Sequence, residues 1–320
     1  MSAEAAELNG RFPKEYMLMA QTEARQTATT DTVPLPVEMA VQERRFNLRK
    51  LLVVVVLYLA AFWTLVPMYW VAISSIKSLR DLAHIPPRFF PTDPRLDAWV
   101  TIFERRILEN VYNSLVVATL ATIICLVISV PAAYAATRMR LPFKFVAIVV
   151  GLMGLVALLP PIASAIPLFL LGSDLGIIDE KYTLIILYTV LNTAFAVWVL
   201  RGTFMDVPMD VEEAALMDGD TRFGAVRRIL LPLIFPSLFS IAILLFIFNW
   251  NEYIIALYFV NSMKTMTLPI AIQAQIPQHE LDWGVVSAAG TIAVFPVLVA
   301  AFTLQRFLVR GLTFGVASGQ

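Results

Sequence analysis

Long apolar runs recur along this chain, each of a length set by a bilayer rather than by a globular core. Crossing roughly 30 Å of hydrocarbon takes about 20 apolar residues in a helix. Six segments meet that demand: 52–73, 114–136, 145–165, 183–200, 229–250 and 285–308. The pattern predicts an all-α polytopic membrane protein with six transmembrane helices. Pro160 and Pro161 interrupt the third segment, and Pro232 and Pro236 stand near the start of the fifth. Proline removes a backbone donor, so neighbouring helices or water must satisfy the freed carbonyls. Such kinks serve helix packing or border a solute path. The small residues Ala132, Ala133, Ala135 and Ala136 around Tyr134 would let helices approach closely. Between the first two spans, Pro86, Pro87, Pro91 and Pro94 favour short extended pieces and turns over helix.

Composition agrees with lipid as the main solvent. The 320 residues are 59% hydrophobic and 15% charged, with a mean hydropathy of +0.75. A soluble domain carries roughly a quarter charged residues. Net charge is zero, with 24 basic and 24 acidic residues, which removes any electrostatic reason to expect nucleic acid as a partner. The single cysteine, Cys125, excludes a disulfide framework and reads as a small buried hydrophobe.

The placement of charge orients the spans, because basic flanks stay cytoplasmic. Arg44, Arg45, Arg49 and Lys50 precede the first span; Arg138, Arg140 and Lys144 join the second to the third. Arg201, Arg222, Arg227 and Arg228 join the fourth to the fifth, and Arg306 and Arg310 follow the sixth. With six spans all four places share one side. The opposite side holds the loop 74–113, with six basic residues, and two later loops with only Lys181 and Lys264. Both termini are therefore expected in the cytoplasm. Residues 1–45 are too polar to form a core and are expected to be a disordered cytoplasmic tail rather than a signal peptide, since the first long apolar run begins after residue 50. The six-span domain occupies 46–320, with a cytoplasmic loop at about 203–228.

That loop has an internal grammar. Pro208 suits the start of a helix, and Asp210, Glu212 and Glu213 complement its dipole. Gly219 suits the left-handed residue that ends it, and Thr221 suits the cap of a second helix running into the membrane. A helix, a turn and a helix are thus expected at the cytoplasmic face. Ala214 and Ala215 beside Glu213 would make a narrow surface for another protein's groove, with one carboxylate free for a basic residue.

Here the chain resembles a known family. Glu-Ala-Ala, three residues, Gly, nine residues, Ile, one residue, Leu-Pro is the signature loop of binding-protein-dependent ABC importer permeases. Glu213, Ala214, Ala215, Gly219, Ile229, Leu231 and Pro232 match every position. Asn113-Ser114, Trp250-Asn251-Glu252, Thr267-Leu268-Pro269 and Gly311-Leu312-Thr313 resemble its carbohydrate-type branch, in particular the smaller inner-membrane subunit of the maltose importer. The resemblance covers about residues 50–318; the ending Gly315 to Gln320 departs from the family's usual Gly-Ala-Val-Lys-Gly.

The resemblance implies the type I importer permease fold in a bacterial inner membrane. It also implies a heterodimer with a second permease, two cytoplasmic ATP-hydrolysing subunits and an extracytoplasmic solute-binding protein. Carried over, Glu213 would pair with a basic residue of the ATPase, Ala214 and Ala215 would give close contact, and Gly219 would set the turn. Asp218, Arg222 and Phe223 complete the expected coupling set. The solute would be a sugar or sugar-like molecule.

The residues agree that this chain is no enzyme. There is no phosphate-binding loop ending in Gly-Lys-Ser or Gly-Lys-Thr, no hydrolase nucleophile motif and no metal-ligand spacing, with His84 and His279 far apart. No cofactor is expected. Asn249, Trp250, Asn251 and Glu252 combine hydrogen-bonding groups with an aromatic face and are the candidate solute path; anchoring at the membrane interface is the plainer role of such residues. The rival reading is an ATP-independent secondary transporter or channel. Ion-coupled carriers place ionisable groups inside their spans, and the interiors of these six hold no carboxylate, lysine or histidine.

Overall fold

The computed structural model describes residues 48–139, 141–276 and 282–317. The expected tail, 1–45, lies outside the described residues, as do Arg140 and His279. The chain divides into a unit of residues 1–61 and one of residues 62–320. The first unit contributes the opening of α1 (Leu48–Ser74), a valine- and leucine-rich helix that ends in the second. There follow α2 (Leu79–Leu82), α3 (Asp97–Glu104), α4 (Ile107–Arg138), α5 (Phe143–Ala157), α6 (Pro161–Asp174), α7 (Lys181–Met205), α8 (Met209–Met217), α9 (Arg222–Ala225), α10 (Leu231–Trp250), α11 (Ile254–Phe259), α12 (Leu268–Gln273) and α13 (Trp283–Ala317). Among the described residues five helices are long and apolar enough to span a membrane, or six if the bent pair α5 and α6 counts as one span.

Small side chains set the centre of the second unit. On α4, Val117, Ala121, Cys125, Ser129 and Ala133 recur every fourth residue and are all buried, forming one stripe. Leu184, Tyr188, Ala196, Val197, Leu200 and Phe204 of α7 pack in the same clusters. Without a hydrophobic drive between helices in lipid, close approach over small residues is what associates them. Large apolar side chains such as Val127, Val190, Phe295 and Phe302 point outward, as lipid allows and water does not.

Pro160 and Pro161 interrupt the third segment, 145–165, as a sharp bend: α5 and α6 lie at 95°. Pro160 is held extended (φ −61°, ψ 133°) by the proline after it, and Pro161 opens α6 without an N–H to give. The loop 74–113 also holds helix, α2 and α3, on either side of its prolines. Its centre is Asp81, whose carboxylate accepts from Thr92 Oγ1 at 2.6 Å, Thr92 N–H at 2.8 Å and Arg88 at 2.7 Å. Thr92 and then Arg88 hold that carboxyl well below the usual carboxylate range, against the effect of burial. The loop's basic residues are thus largely spent locally: Lys77 lies 3.9 Å from the Trp70 ring centroid and donates to Arg88 O, and Arg95 pairs with Asp93.

Candidate functional site

Between α7 and α10 the chain makes an elbow. Nine-residue α8 opens at Pro208 and carries Asp210 and Glu212 in its first turn. It closes at Gly219 (φ +88°), where Gly219 N–H donates to Leu216 O at 3.2 Å and Asp220 N–H to Ala215 O at 3.1 Å. These are the two backbone bonds of a glycine-terminated helix end. Thr221 Oγ1 then accepts from Gly224 N–H at 3.0 Å and caps α9. A π-helical turn, Val226–Leu230, leads without a break into α10, and Pro232, which has no N–H to give, follows directly on this irregular turn.

The helix period splits the expected coupling set. Glu213, Ala214, Met217 and Asp218 are exposed, whereas Glu212 and Ala215 are buried. Ala215 faces this chain's own bundle, so the alanine pair does not form one outward surface: neighbours on a helix stand about 100° apart. Phe223 is 75% and Met217 87% exposed, two large apolar side chains on one short elbow. Arg222 is exposed and lies close enough to the Tyr134 hydroxyl to interact with it.

Beneath the elbow lie residues that the sequence reading passed over. Arg138, the last residue of α4, is buried and donates to the backbone carbonyls of Phe204, at 2.5 Å, and Val207. Phe204 O is among the last carbonyls of α7, which no helical N–H can reach. Glu212 Oε2 stands 4.0 Å from Arg138 Nε, with the two side chains 7% and 3% exposed. Tyr134 OH donates to Glu212 Oε1 at 2.5 Å, and its ring meets Phe204 edge to face at 5.9 Å. Only the spacing of Tyr134 and Arg138, one helical turn apart, hinted at this in the sequence. Asp220 was passed over too: it accepts from Thr221 N–H at 2.8 Å and faces Arg228 at 3.5 Å. Gly224 leaves room beneath it: a Cβ there would run into the Asp220 carboxylate, which would have to shift.

The second candidate cluster lies at the far end of α10, about 30 Å along a 20-residue helix. Asn249 is buried; its Nδ2 donates to Thr122 Oγ1 of α4 at 3.1 Å, and its Oδ1 accepts from Asn192 Nδ2 of α7 at 2.8 Å. Trp250 is buried against Phe246 and donates from Nε1 to Ala293 O of α13 at 3.1 Å. Glu252 accepts from the N–H groups of Ile255 and Ala256 at 2.8 and 3.1 Å, capping α11. Asn251 alone of the four is exposed. Nearby, two motif fragments meet: Asn113 Nδ2 donates to the carbonyls of Lys264 and Met266, and Ser114 Oγ accepts from Leu268 N–H at 2.8 Å.

Residues 126–314 match the family described as binding-protein-dependent transport system inner membrane component. The sulfoquinovosyl glycerol transport system permease protein SmoH of Agrobacterium fabrum is 34% identical over 256 residues, covering 80% of this chain and 89% of that one. The trehalose transport system permease protein SugB of Mycobacterium tuberculosis is 30% identical, covering 80% and 93%. The trehalose/maltose transport system permease protein MalG of Thermococcus litoralis is 30% identical, covering 85% and 98%. In fold, the chain matches a crystal structure of a bacterial ABC transporter involved in the import of the acidic polysaccharide alginate. The TM-score is 0.70 at 22% identity, covering 82% of this chain and 97% of that one.

Proposed function

The chain belongs to the inner-membrane components of binding-protein-dependent transport systems and is a permease subunit of an ABC importer, and we propose that it passes a sugar or sugar-like solute and takes its drive through the elbow at Glu213. Relatives named for sulfoquinovosyl glycerol, trehalose and trehalose/maltose transport support the solute class. One observation carries the docking assignment: Glu213 and Ala214 stand exposed on α8 beside Met217 and Phe223, while Glu212 and Ala215 hold the helix from beneath. Among the described residues Glu213 forms no ion pair, and Ala214 leaves room for close backbone approach. A cytoplasmic ATP-hydrolysing subunit with a basic residue in an apolar groove complements that surface.

In this reading two such subunits, a second permease and an extracytoplasmic receptor complete the importer, and nucleotide chemistry is left to the companions. The elbow and both termini lie on the cytoplasmic side, with residues 1–45 as a polar tail. The solute path passes the far end of α10, where Asn251 is the exposed polar group and Asn249, Trp250 and Glu252 hold the wall in shape. Purification of the detergent-solubilised complex through a tag on this chain tests the assignment. An ATPase and a second permease are expected to come with it. Glu213→Lys is expected to lose the ATPase while the second permease and membrane insertion are kept; full retention of the ATPase overturns the docking role.

A further inference from the structure

We propose that Tyr134, Arg138 and Glu212 form a latch that fastens the docking helix α8 to the ends of α4 and α7, so that force at Glu213 enters the bundle chiefly through α4. The proposal rests on the docking reading above and says how a docked elbow moves the spans.

A nine-residue helix has little stability of its own, so its attachments decide what moves when it is pulled. Glu212 and Ala215, three residues apart, share the inward face, and Glu213 and Met217, four apart, share the outward one. The inward face is held by buried polar contacts. Tyr134 grips Glu212, and Arg138 faces Glu212 while holding Phe204 O and Val207 O. One guanidinium therefore ties the end of α4 to the last turn of α7 and to the joint before α8, with its charge also favoured at the C-terminus of α7. Separating these groups would leave an unmatched charge in an apolar surround, which is costly.

The opposite attachment of the elbow is weaker. The pair between Asp220 and Arg228 spans 3.5 Å, and the Arg228 side chain is 74% exposed, so water and salt screen it. Arg228 itself stands in the π-helical turn that precedes α10, a common site of irregular helix geometry. Load thus divides unequally, and the branch held by buried contacts leads to α4. From Arg138 that helix runs back about 37 Å, past Pro131, to Asn113 and Ser114, which hold the Lys264 to Leu268 segment at the other end of the bundle. The latch and this pin are the two ends of one helix, and together they give a route from the docking surface to the far loops.

Spin labels at Met139→Cys, just beyond α4, and Met217→Cys, on the outward side of α8, test this in the purified complex with its ATPase subunits. The native Cys125 is fully buried and does not compete for label. With the latch intact, the label separation is expected to be narrow and the same without nucleotide and with Mg-ATP. In Glu212→Gln and in Tyr134→Phe it is expected to broaden and lengthen when Mg-ATP is added. A wild-type separation that changes with Mg-ATP, or variant separations identical to wild type, overturns the latch. A merely structural role would lower the yield of both variants while leaving the label separation in the surviving protein unchanged. Should Glu212→Gln fail to accumulate, Tyr134→Phe, which removes one hydroxyl and keeps the ring against Phe204, decides the matter. Loss of the ATPase from Glu212→Gln with Glu213 intact would make Glu212 a docking residue and also overturns the latch. Retention of the ATPase by Glu213→Lys counts against the docking reading alone, because the label separation still reports whether α8 moves with α4.

Discussion

Two adjacent carboxylates with opposite surroundings define the elbow: Glu213 stands in solvent, and Glu212 is buried against Tyr134 and Arg138. Their neighbourhood also holds two glycines with different reasons to be glycine. A Cβ on Gly219 would meet nothing within 4 Å, so only its left-handed backbone matters there. Gly219→Ala is expected to destabilise the elbow by about 1 kcal/mol. Gly219→Asn should cost less, an order that thermal unfolding of the solubilised protein would reveal. Gly224 is a matter of space, and an added methyl must displace Asp220 from Thr221. At the other end of the bundle, burial pushes the Asp179 carboxyl up. Hydrogen bonds from Thr265 and from the N–H groups of Asn261 and Ser262 outweigh it, and its pKa is about 2. The folded value lies below the ordinary value of roughly 3.9, so the stabilisation is complete above about pH 4 and is lost as pH falls through about 2. The melting-temperature gap between wild type and Asp179→Asn is therefore expected to stay constant from about pH 5 to 8 and to close in acid.

At the scale of elements, the chain shows where apolar patterning stops being sufficient. α4, α7, α10 and α13 follow from run length because the bilayer sets that length. The bend between α5 and α6 follows from backbone sterics at Pro160 and Pro161, which a hydropathy window does not register. The elbow's caps, Gly219 and Thr221, were legible because each supplies a local backbone need within a few residues. The pin on α12 was not, since Ser114 and Leu268 are 154 residues apart. Ser114→Ala would leave the buried Leu268 N–H without its acceptor, at a cost of about 1–3 kcal/mol. Amide exchange at residues 268–271 is expected to accelerate, with exchange in α7 unchanged.

Across the whole molecule, the elbow and the Asn249 cluster occupy the two ends of α10, and the placement of basic residues makes the elbow end the expected cytoplasmic one. Met217, on the elbow, and Met263, in the loop after α11, are both exposed. A membrane-impermeant maleimide is expected to label Met263→Cys in intact spheroplasts and Met217→Cys only in inverted vesicles. Labelling of both from one side would reject the six-span topology. The outward apolar surface fits a protein whose solvent is lipid and whose remaining faces meet companion subunits.

The sequence by itself determined the fold class, the family and the local shape of the elbow. Each depends on short-range physics: hydrocarbon thickness, helix capping, or a signature within 20 consecutive residues. Only the tertiary structure decided that Ala215 faces inward, that Glu212 and not Glu213 is held from beneath, and that Asn249 and Trp250 are committed to neighbouring helices. The reason is that burial and hydrogen-bond partners come from other helices. A carboxylate on a helix reads the same in sequence whether an arginine 74 positions earlier lies beneath it or not.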